Sequence, residues 1–210
     1  GAIVSMWTAA GFAVSRPFER MTYADSMRLY GSDKPDLRPG MPIADVSGLF
    51  AESPFTVFRD AVTAGGVVRG FVVAGGGKYS RKELDELTEQ VRQMGGSGLI
   101  WTRVVQGALQ SSALKAAGEA PLRQAFDAAG GQEGDLLLMA AGPTDKTATL
   151  LGNLRLIVAR KAGLLKPDEF RFVWVTNFPL FEWNPDDARW DSMHHPFTSP
   201  MPDDVEFLET

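Results

Sequence analysis

Two stretches of the chain space their apolar residues as amphipathic helices do. The first begins at Ser80, which forms a capping box with Glu83, and ends at Gly95. The second, longer stretch begins at Thr144 and ends near Gly163. Their apolar stripes are Leu84, Leu87, Val91 and Met94 in the first, and Ala148, Leu151, Leu154 and Val158 in the second.

Two shorter helices are predicted from the residues at their ends. Thr22, with an acidic residue three positions later, starts a helix that runs to about Tyr30 and is closed by Gly31. Residues 121–129 predict another helix, because a proline is tolerated in the first turn. Residues 31–40 are polar and interrupted by prolines, which predicts a loop.

Apolar runs without helical spacing predict strands. We expect a hairpin around Gly65-Gly66, with strands over 55–61 and 67–74, and further strands over 98–105 and 135–140, the last of them buried. The predicted order is then strand, strand, helix, strand, helix, strand. This order favours an α+β module with helices on one face of a small mixed or antiparallel sheet.

The last part of the chain predicts a strand followed by a hairpin. Residues 170–176 form a near-continuous apolar run, which indicates a central strand. Residues 180–183 and 189–193 flank a polar turn and predict a hairpin that leads directly into His194 and His195. We interpret three acidic residues here as turn residues and a solvated strand edge: Asp186, Asp187 and Asp191.

Composition narrows the classes of protein. The chain has 210 residues, 44% of them hydrophobic and 22% charged, which is typical of a globular protein. It has no apolar run long enough for a membrane span and no signal-peptide pattern at its start. The absence of cysteine excludes disulfides and thiolate metal sites, and fits a reducing cytoplasm. A net charge of -5 argues against wholesale nonspecific binding of nucleic acid.

The two histidines are the strongest candidates for chemistry. They are the only two in the chain, they are adjacent, and Pro196 favours an extended His195. Neighbouring residues on a strand point to opposite faces, so one histidine should face a pocket and the other packing or solvent. The alternative is a hydrogen-bonded surface feature. A metal site is not indicated, because the pair lacks helical ligand spacing and no third histidine or cysteine exists.

Several longer runs, in order, resemble bacterial-type aspartyl-tRNA synthetase, a class II enzyme. The runs are Arg20-Met21-Thr22-Tyr23-Ala24-Asp25-Ser26-Met27, Tyr30-Gly31-Ser32-Asp33-Lys34-Pro35-Asp36-Leu37-Arg38, Ser80-Arg81-Lys82-Glu83-Leu84-Asp85, Gly98-Leu99-Ile100-Trp101, Gly134-Asp135-Leu136-Leu137-Leu138, Gly152-Asn153-Leu154-Arg155-Leu156, Phe178-Pro179-Leu180-Phe181-Glu182-Trp183 and Met193-His194-His195-Pro196-Phe197-Thr198-Ser199-Pro200. The resemblance extends over nearly the whole chain from about Arg16. Asn177 departs from it, because many relatives carry Asp there.

The resemblance implies an antiparallel class II catalytic domain interrupted by an α+β module of the kind found in a subunit of tRNA-dependent amidotransferases. Residues 47–141 would be the inserted module, and residues 1–46 and 142–210 two parts of the catalytic domain. The chain lacks the Phe-Arg-x-Glu of motif 2, the glycine-rich motif 3 and the anticodon-binding barrel. With its non-Met start and a last segment that reads as a cut helix, we expect a fragment that is itself inactive.

The resemblance also implies a reaction and its participants. Aspartate would react with ATP, with Mg²⁺ as the ion, to give aspartyl-adenylate, and the aspartyl group would pass to the 3′ end of aspartate tRNA. Asparagine tRNA stays open as a second acceptor. The parent would be a cytoplasmic homodimer without membrane association. Neither a catalytic residue nor a motif for ATP is assigned within this chain.

The resemblance assigns candidate binding residues. His194 would contact substrate aspartate, with His195 second, and Ser32, Asp33 and Lys34 would form a loop near the aspartate or the tRNA acceptor end. For that loop, a domain-junction turn held by local ion pairs is the alternative. Two other functions stay open: a noncatalytic module that binds tRNA or a protein, and a small-molecule-binding domain unrelated to translation.

Overall fold

A five-stranded antiparallel sheet lies at the centre of the chain. The computed structural model describes residues 1–14, 16–184, 186–193 and 199–209. The helices are α1 (Ala2–Ala9), α2 (Tyr23–Tyr30), α3 (Thr56–Thr63), α4 (Arg81–Gln93), α5 (Leu114–Ala117), α6 (Glu119–Ala128) and α7 (Thr144–Lys161). The strands are β1 (Glu19–Thr22), β2 (Ala44–Asp45), β3 (Val67–Val73), β4 (Ile100–Val105), β5 (Ala108–Ser111), β6 (Leu136–Gly142), β7 (Val173–Thr176), β8 (Phe181–Asn184) and β9 (Arg189–Ser192). Short 3-10 segments cover Ser47–Leu49, Gly76–Lys78 and Pro202–Glu209.

The sheet has the strand order β2-β3-β6-β4-β5, and every neighbouring pair is antiparallel. β6 lies in the middle and is buried over its first five residues. The α+β class predicted from the sequence is therefore confirmed, and the sheet is antiparallel. The prediction omitted β5, which pairs with β4 across the two-residue turn Gln106-Gly107.

Helices cover both faces of this sheet, so the expectation of helices on one face is wrong. One core lies under α4 and α7 and receives Phe71 and Leu138 from the sheet. The other lies under α3 and α6 and receives Leu137 and Met139. Adjacent residues of β6 enter different cores because side chains alternate along a strand. A continuous apolar run is typical of a strand covered on both sides.

Residues 55–61 do not form the predicted strand; Thr56–Thr63 is the helix α3. Phe55, Phe58 and Val62 recur at helical spacing and pack on the second core. Burial of that stripe outweighs the preference of aromatic and β-branched residues for strands, since tertiary contacts override propensity.

The helices predicted from caps and stripes are confirmed. Thr22 accepts a hydrogen bond from the Asp25 N–H, and Gly31 closes α2 in the left-handed conformation. Ser80 and Glu83 form the full capping box of α4. The four predicted stripe positions of α7 are all buried. The helix predicted over 121–129 is α6, which has Pro121 in its first turn.

The strand predicted over 170–176 is shorter and is not central. β7 begins at Val173 and pairs in parallel with β1 alone among the described strands. Trp174 is 52% exposed. The apolar run thus has one neighbouring strand and one open face. The hairpin predicted after it is confirmed as β8 and β9, with Trp183 directly opposite Trp190.

Helix α7 joins the sheet to α2. It packs on β3 and β6 with one side and on α2 with another. The crossing with α2 is close because both helices present glycine: a Cβ on Gly152 would lie 2.4 Å from the Tyr30 carbonyl oxygen, and one on Gly31 would lie 1.9 Å from that of Ala148. Contacts of the sheet therefore extend beyond 47–141, and those domain boundaries stay a prediction. No helix in the described part of the chain is long and apolar enough to cross a membrane.

Candidate functional site

The loop that holds Ser32, Asp33 and Lys34 leaves α2 at Gly31 and returns to the sheet through Ile43. Ser26 donates a 2.6 Å hydrogen bond to the Ser32 carbonyl. The Ser32 hydroxyl accepts from the Lys34 N–H at 3.2 Å, which forms a local turn. The side chains of Asp33 and Lys34 are exposed. The structure thus places the three predicted residues together on a turn with two solvent-facing charges of opposite sign.

Arg155 of α7 anchors the second half of this loop. Its guanidinium donates to the carbonyl oxygens of Asp36 and Gly40, both at 2.8 Å, and lies 4.9 Å from the ring centroid of Tyr30. The residue is 1% exposed, and its Nε atom has no hydrogen-bond partner. Burial lowers the pKa of the Arg155 guanidinium. Arginine nevertheless keeps its charge in proteins, so α7 supplies a buried cation that holds the loop.

A local ion pair adds to this anchoring. Arg38 binds Asp36 through two nitrogens, with the shortest distance at 2.7 Å, and reaches the Lys166 carbonyl at 3.1 Å. The Arg38 guanidinium lowers the pKa of the Asp36 carboxyl, through hydrogen bonds that outweigh burial. The loop is therefore tied to α7 and to the chain beyond it, as a turn held by local ion pairs would be.

Ser32, Asp33 and Lys34 line a cavity of about 270 Å³ between α2 and α7. Tyr23 forms another part of its wall, as does Asn153. Burial raises the pKa of the Tyr23 phenol, and the nearby charges of Asp33, Glu182 and Asp145 raise it further. The wall thus combines hydroxyl and amide groups with two acidic and two basic side chains, those of Asp33, Asp36, Lys34 and Arg155.

A larger cleft of about 720 Å³ lies on the other side of Tyr23, between α2, the start of α7 and the β8-β9 hairpin. Charges of both signs line it: Arg28, Arg69, Asp145 and Glu182. Met193, the last described residue before the histidines, also lines it. The predicted residues His194 and His195 lie outside the described residues, so their place in the site stays a prediction.

Ser199, the first described residue after the histidines, lines a third cavity of about 530 Å³ with Phe178 and Phe181. Phe181 and Pro179 line both this cavity and the larger cleft.

The predicted turn and strand-edge roles of Asp186, Asp187 and Asp191 agree with their contacts. Asn184 accepts from the N–H groups of Asp186 and Asp187, and Arg189 pairs with Asp187 and Asp191.

Arg155 has no predicted role, although it lies in the run Gly152-Asn153-Leu154-Arg155-Leu156, which carries part of the resemblance. A signal was available: Arg155 is four residues after Leu151 and three before Val158, so it occupies an apolar-face position. Across the described ranges, no group of three or more His, Asp or Glu side chains is placed to hold a metal ion.

Comparison with known proteins gives a domain and a set of relatives. Residues 58–151 match the GAD domain. The chain is 44% identical over 203 residues to the aspartate–tRNA ligase of Ruminiclostridium cellulolyticum, covering 96% of this chain and 34% of that protein. It is 46% identical over 199 residues to the aspartate–tRNA(Asp/Asn) ligase of Symbiobacterium thermophilum, covering 94% and 34%. It is 42% identical over 214 residues to the aspartate–tRNA(Asp/Asn) ligase of Geotalea uraniireducens, covering 100% of this chain and 36% of that protein.

The residues that match the GAD domain thus contain four of the five strands of the antiparallel sheet, in an α+β arrangement. Over nearly its whole length, the chain is homologous to a segment of aspartate–tRNA ligases. It spans about a third of the length of these relatives.

Proposed function

We propose that the chain acts as part of an aspartate–tRNA ligase, which activates L-aspartate with ATP and transfers it to the 3′ end of tRNA. The observation that carries this proposal is the extent of the similarity: it covers 96% of the chain and so includes the flanks of the GAD domain. A module shared with another kind of protein would match over the sheet alone. The flanks carry the loop 31–40, Arg155 and the β8-β9 hairpin.

In this proposal, the described residues shape the site rather than perform the chemistry. Arg155 and the Asp36–Arg38 pair hold the loop, so Ser32, Asp33 and Lys34 are presented to aspartate or to the tRNA acceptor end from a fixed position. The hairpin brings Met193 to the cleft, from which His194 follows and contacts the substrate carboxylate, with His195 second. Such positioning lowers the entropic part of a reaction barrier.

ATP and Mg²⁺ enter this proposal as substrate and ion of the longer protein. The described acidic residues form no group suited to a metal ion, so no step is assigned to Mg²⁺ here. The arginines that stabilise phosphoryl charge are expected outside this segment. The longer protein is proposed to be a cytoplasmic homodimer that charges aspartate tRNA, with asparagine tRNA as a second candidate.

A second function, a noncatalytic module that binds tRNA or a protein, is favoured by one observation. The GAD match contains the greater part of a sheet with a core on each face, which is the organisation of an independent module. The two proposals differ in what the flanks do: the ligase needs them, and the binding module does not.

The test is aminoacylation by the full-length protein of the gene that encodes this chain. Purified protein is incubated with ATP, labelled aspartate and either aspartate tRNA or asparagine tRNA. Labelled aspartyl-tRNA supports the ligase, and the tRNA that accepts the label identifies the specificity. If neither tRNA is charged and the protein still binds tRNA, the binding module is the better description.

For the site, we expect His194→Ala in that full-length protein to weaken aspartate use by roughly 1.5 to 3 kcal/mol, the worth of a hydrogen bond to a charged group. The KM for ATP should change little, and His195→Ala should cost less. The measurement is aspartate-dependent pyrophosphate exchange. Unchanged aspartate dependence in both variants would show that the pair is structural.

A further inference from the structure

The loop 31–40 lies between two cavities that share part of their wall. One, of about 370 Å³, lies between the loop and residues 169–171, and we call it the outer pocket. The other is the cavity of about 270 Å³ between α2 and α7, which we call the loop cavity. Lys34 and Asp36 line both, so the two cavities meet at these side chains.

The loop cavity also adjoins the cleft of about 720 Å³ beside the β8-β9 hairpin, which we call the histidine cleft because Met193 lines it. Tyr23 and Met27 line both of these. No described residue lines both the outer pocket and the histidine cleft, so the loop cavity lies between them. The three cavities therefore form a row that ends at the residue before His194.

Two cations of the outer pocket have no ion-pair partner among the described residues. The acidic residues of its wall, Asp36 and Glu169, both act on Arg38: hydrogen bonding to Asp36 and the charge of Glu169 raise the pKa of the Arg38 guanidinium. Lys34 and Arg171 are exposed and form no ion pair in the described part of the chain. These two side chains are therefore available to a phosphate.

An aromatic ring lies next to these cations. Phe170 lines the outer pocket and is 37% exposed. Edge contacts hold its ring, with centroid distances of 5.5 Å to Trp7 and 4.8 Å to Phe12. Proteins bind single-stranded nucleic acid with this combination, because a base stacks on the ring while the cations bind the backbone.

The loop cavity suits a nucleoside better than it suits aspartate. Asp33 and Asp36 line it, and the Arg155 guanidinium in its wall already binds two backbone carbonyl groups. These carboxylates repel the two carboxylates of aspartate, whereas they accept hydrogen bonds from the hydroxyl and amino groups of a nucleoside. Ligand pockets begin at about 300 Å³, so a cavity of this size fits one nucleoside and not a longer piece of RNA.

Tyr23 lies where the loop cavity and the histidine cleft meet. Its ring packs against Phe178 with the centroids 5.2 Å apart, which fixes its position. Burial raises the pKa of the Tyr23 phenol, and the charges of Asp33, Glu182 and Asp145 raise it further, so the hydroxyl keeps its proton near neutral pH and can donate it in a hydrogen bond.

We propose that this row of cavities is the path of the tRNA acceptor end. Lys34 and Arg171 bind its phosphates in the outer pocket, and a base stacks on Phe170. The terminal nucleoside enters the loop cavity, where Tyr23 binds its ribose and faces aspartate in the histidine cleft. The proposal rests on the proposed ligase function, and it assigns the loop to tRNA rather than to aspartate.

The first test measures two reactions of the full-length protein: aspartate-dependent pyrophosphate exchange without tRNA, and aminoacylation of tRNA. We expect Lys34→Gln and Arg171→Gln each to raise the KM for tRNA about tenfold and to leave the KM for aspartate in the exchange unchanged. Each lost phosphate contact should also lower the slope of log KM for tRNA against log salt by about 0.7. Tyr23→Phe, which keeps the ring, should slow transfer from preformed aspartyl-adenylate.

Lys82→Gln and Arg160→Gln are matched controls. Both side chains are exposed on helices and line none of the three cavities, so these variants should leave both KM values unchanged. Lys34→Arg keeps the positive charge and should keep the KM for tRNA close to that of the parent protein.

A cross-link tests the path without catalysis. The probe is tRNA whose terminal ribose has been oxidised to a dialdehyde. The Lys34 amine adds to an aldehyde and loses water to give an imine, which cyanoborohydride reduces to a stable amine. Mass spectrometry of the digested protein should find the label on Lys34, and Lys34→Arg should lose it.

The proposal is overturned if Lys34 stays unlabelled at a concentration at which the protein binds tRNA. It is also overturned if Lys34→Gln and Arg171→Gln leave the KM for tRNA unchanged or raise the KM for aspartate instead. Failure of the ligase proposal has a different signature, since the parent protein would then neither exchange pyrophosphate nor aminoacylate tRNA, while the cross-link still reports whether the acceptor end binds here.

Discussion

Arg155 is a cation in the interior whose hydrogen bonds go to neutral carbonyl groups. The guanidinium satisfies the acceptors of Asp36 and Gly40 and rests on the Tyr30 ring. Burying a charge is costly unless its hydrogen bonds are made, and these bonds therefore offset much of the cost. The consequence is that the loop and the helix are stable only together.

We expect Arg155→Met to lower the free energy of unfolding by about 2 to 4 kcal/mol, because two carbonyl groups lose their partner. Urea denaturation followed by circular dichroism measures this. Arg160→Met is the matched control on the same helix: its side chain is exposed, and it should change stability by less than about 0.5 kcal/mol. Equal stability of the two variants would contradict the anchoring role.

At the scale of elements, local signals were sufficient where a helix has a specific start or end. The caps formed by Ser80 with Glu83, and by Thr22 with Gly31, involve residues that are close in sequence. The sequence pattern alone therefore predicted where these helices begin and end. Strand 55–61 was predicted wrongly because its apolar residues suit either period over a short run, and burial decided between them. For the histidine site, the sequence predicted the residue types and not their geometry. That geometry depends on contacts between elements that are far apart in the sequence.

At the crossing of α2 and α7, a single added methyl group should lower the stability of the fold. Alanine is favoured over glycine inside a helix by about 1 kcal/mol, but in Gly152→Ala the new Cβ would meet the Tyr30 carbonyl at 2.4 Å. Overpacking typically costs about 1 to 3 kcal/mol, and this contact is with backbone, so we expect the cost to exceed the gain and thermal unfolding to show a net loss of stability. Gly48→Ala, which has open space, is the control. A higher melting temperature for Gly152→Ala would show that the helices separate easily.

The capping box of α4 should make stability depend on pH. Hydrogen bonds from Ser80, together with Lys161, lower the pKa of Glu83 to about 2, below its value in the unfolded chain. A lowered carboxyl pKa stabilises the fold above about pH 4.5, and the contribution is lost as pH falls toward 2.

We therefore expect Glu83→Gln to be less stable than the parent chain in urea at pH 7, with the difference shrinking at pH 3. Glu89→Gln, on the same helix, is the control and should show a smaller change with pH. A difference between parent and Glu83→Gln that stays constant over this range would mean that the charge of Glu83 contributes nothing.

At the scale of the whole molecule, the chain combines a covered sheet with flanks that are less covered. The strands of the five-stranded sheet are hydrogen-bonded in one continuous order, and a core covers each face, whereas Trp183 and Trp190 of the hairpin are more than half exposed. The sequence predicted a central strand at 170–176 because an apolar run indicates burial, without indicating what provides it. The chain spans about a third of the length of the relatives it matches.

We expect the 210-residue chain alone to show no aspartate-dependent pyrophosphate exchange. Groups that act as a unit in catalysis are grossly non-additive, and removing part of the unit removes nearly all of the rate. The full-length protein, assayed at the same concentration, is the positive control. Exchange by the isolated chain above a blank without aspartate would refute this expectation.

Helix α7 links the five-stranded sheet to the loop that holds Ser32, Asp33 and Lys34. Its 18 residues make a rod about 27 Å long, which contacts α2 at Gly152 and carries Arg155 almost one turn further on. The sheet contacts one side of this helix, and α2 contacts another so closely that no side chain fits at Gly152, so bending of the helix is opposed on two sides. A displacement of this helix therefore displaces the Arg155 guanidinium, and with it the carbonyl groups of Asp36 and Gly40 that fix the loop.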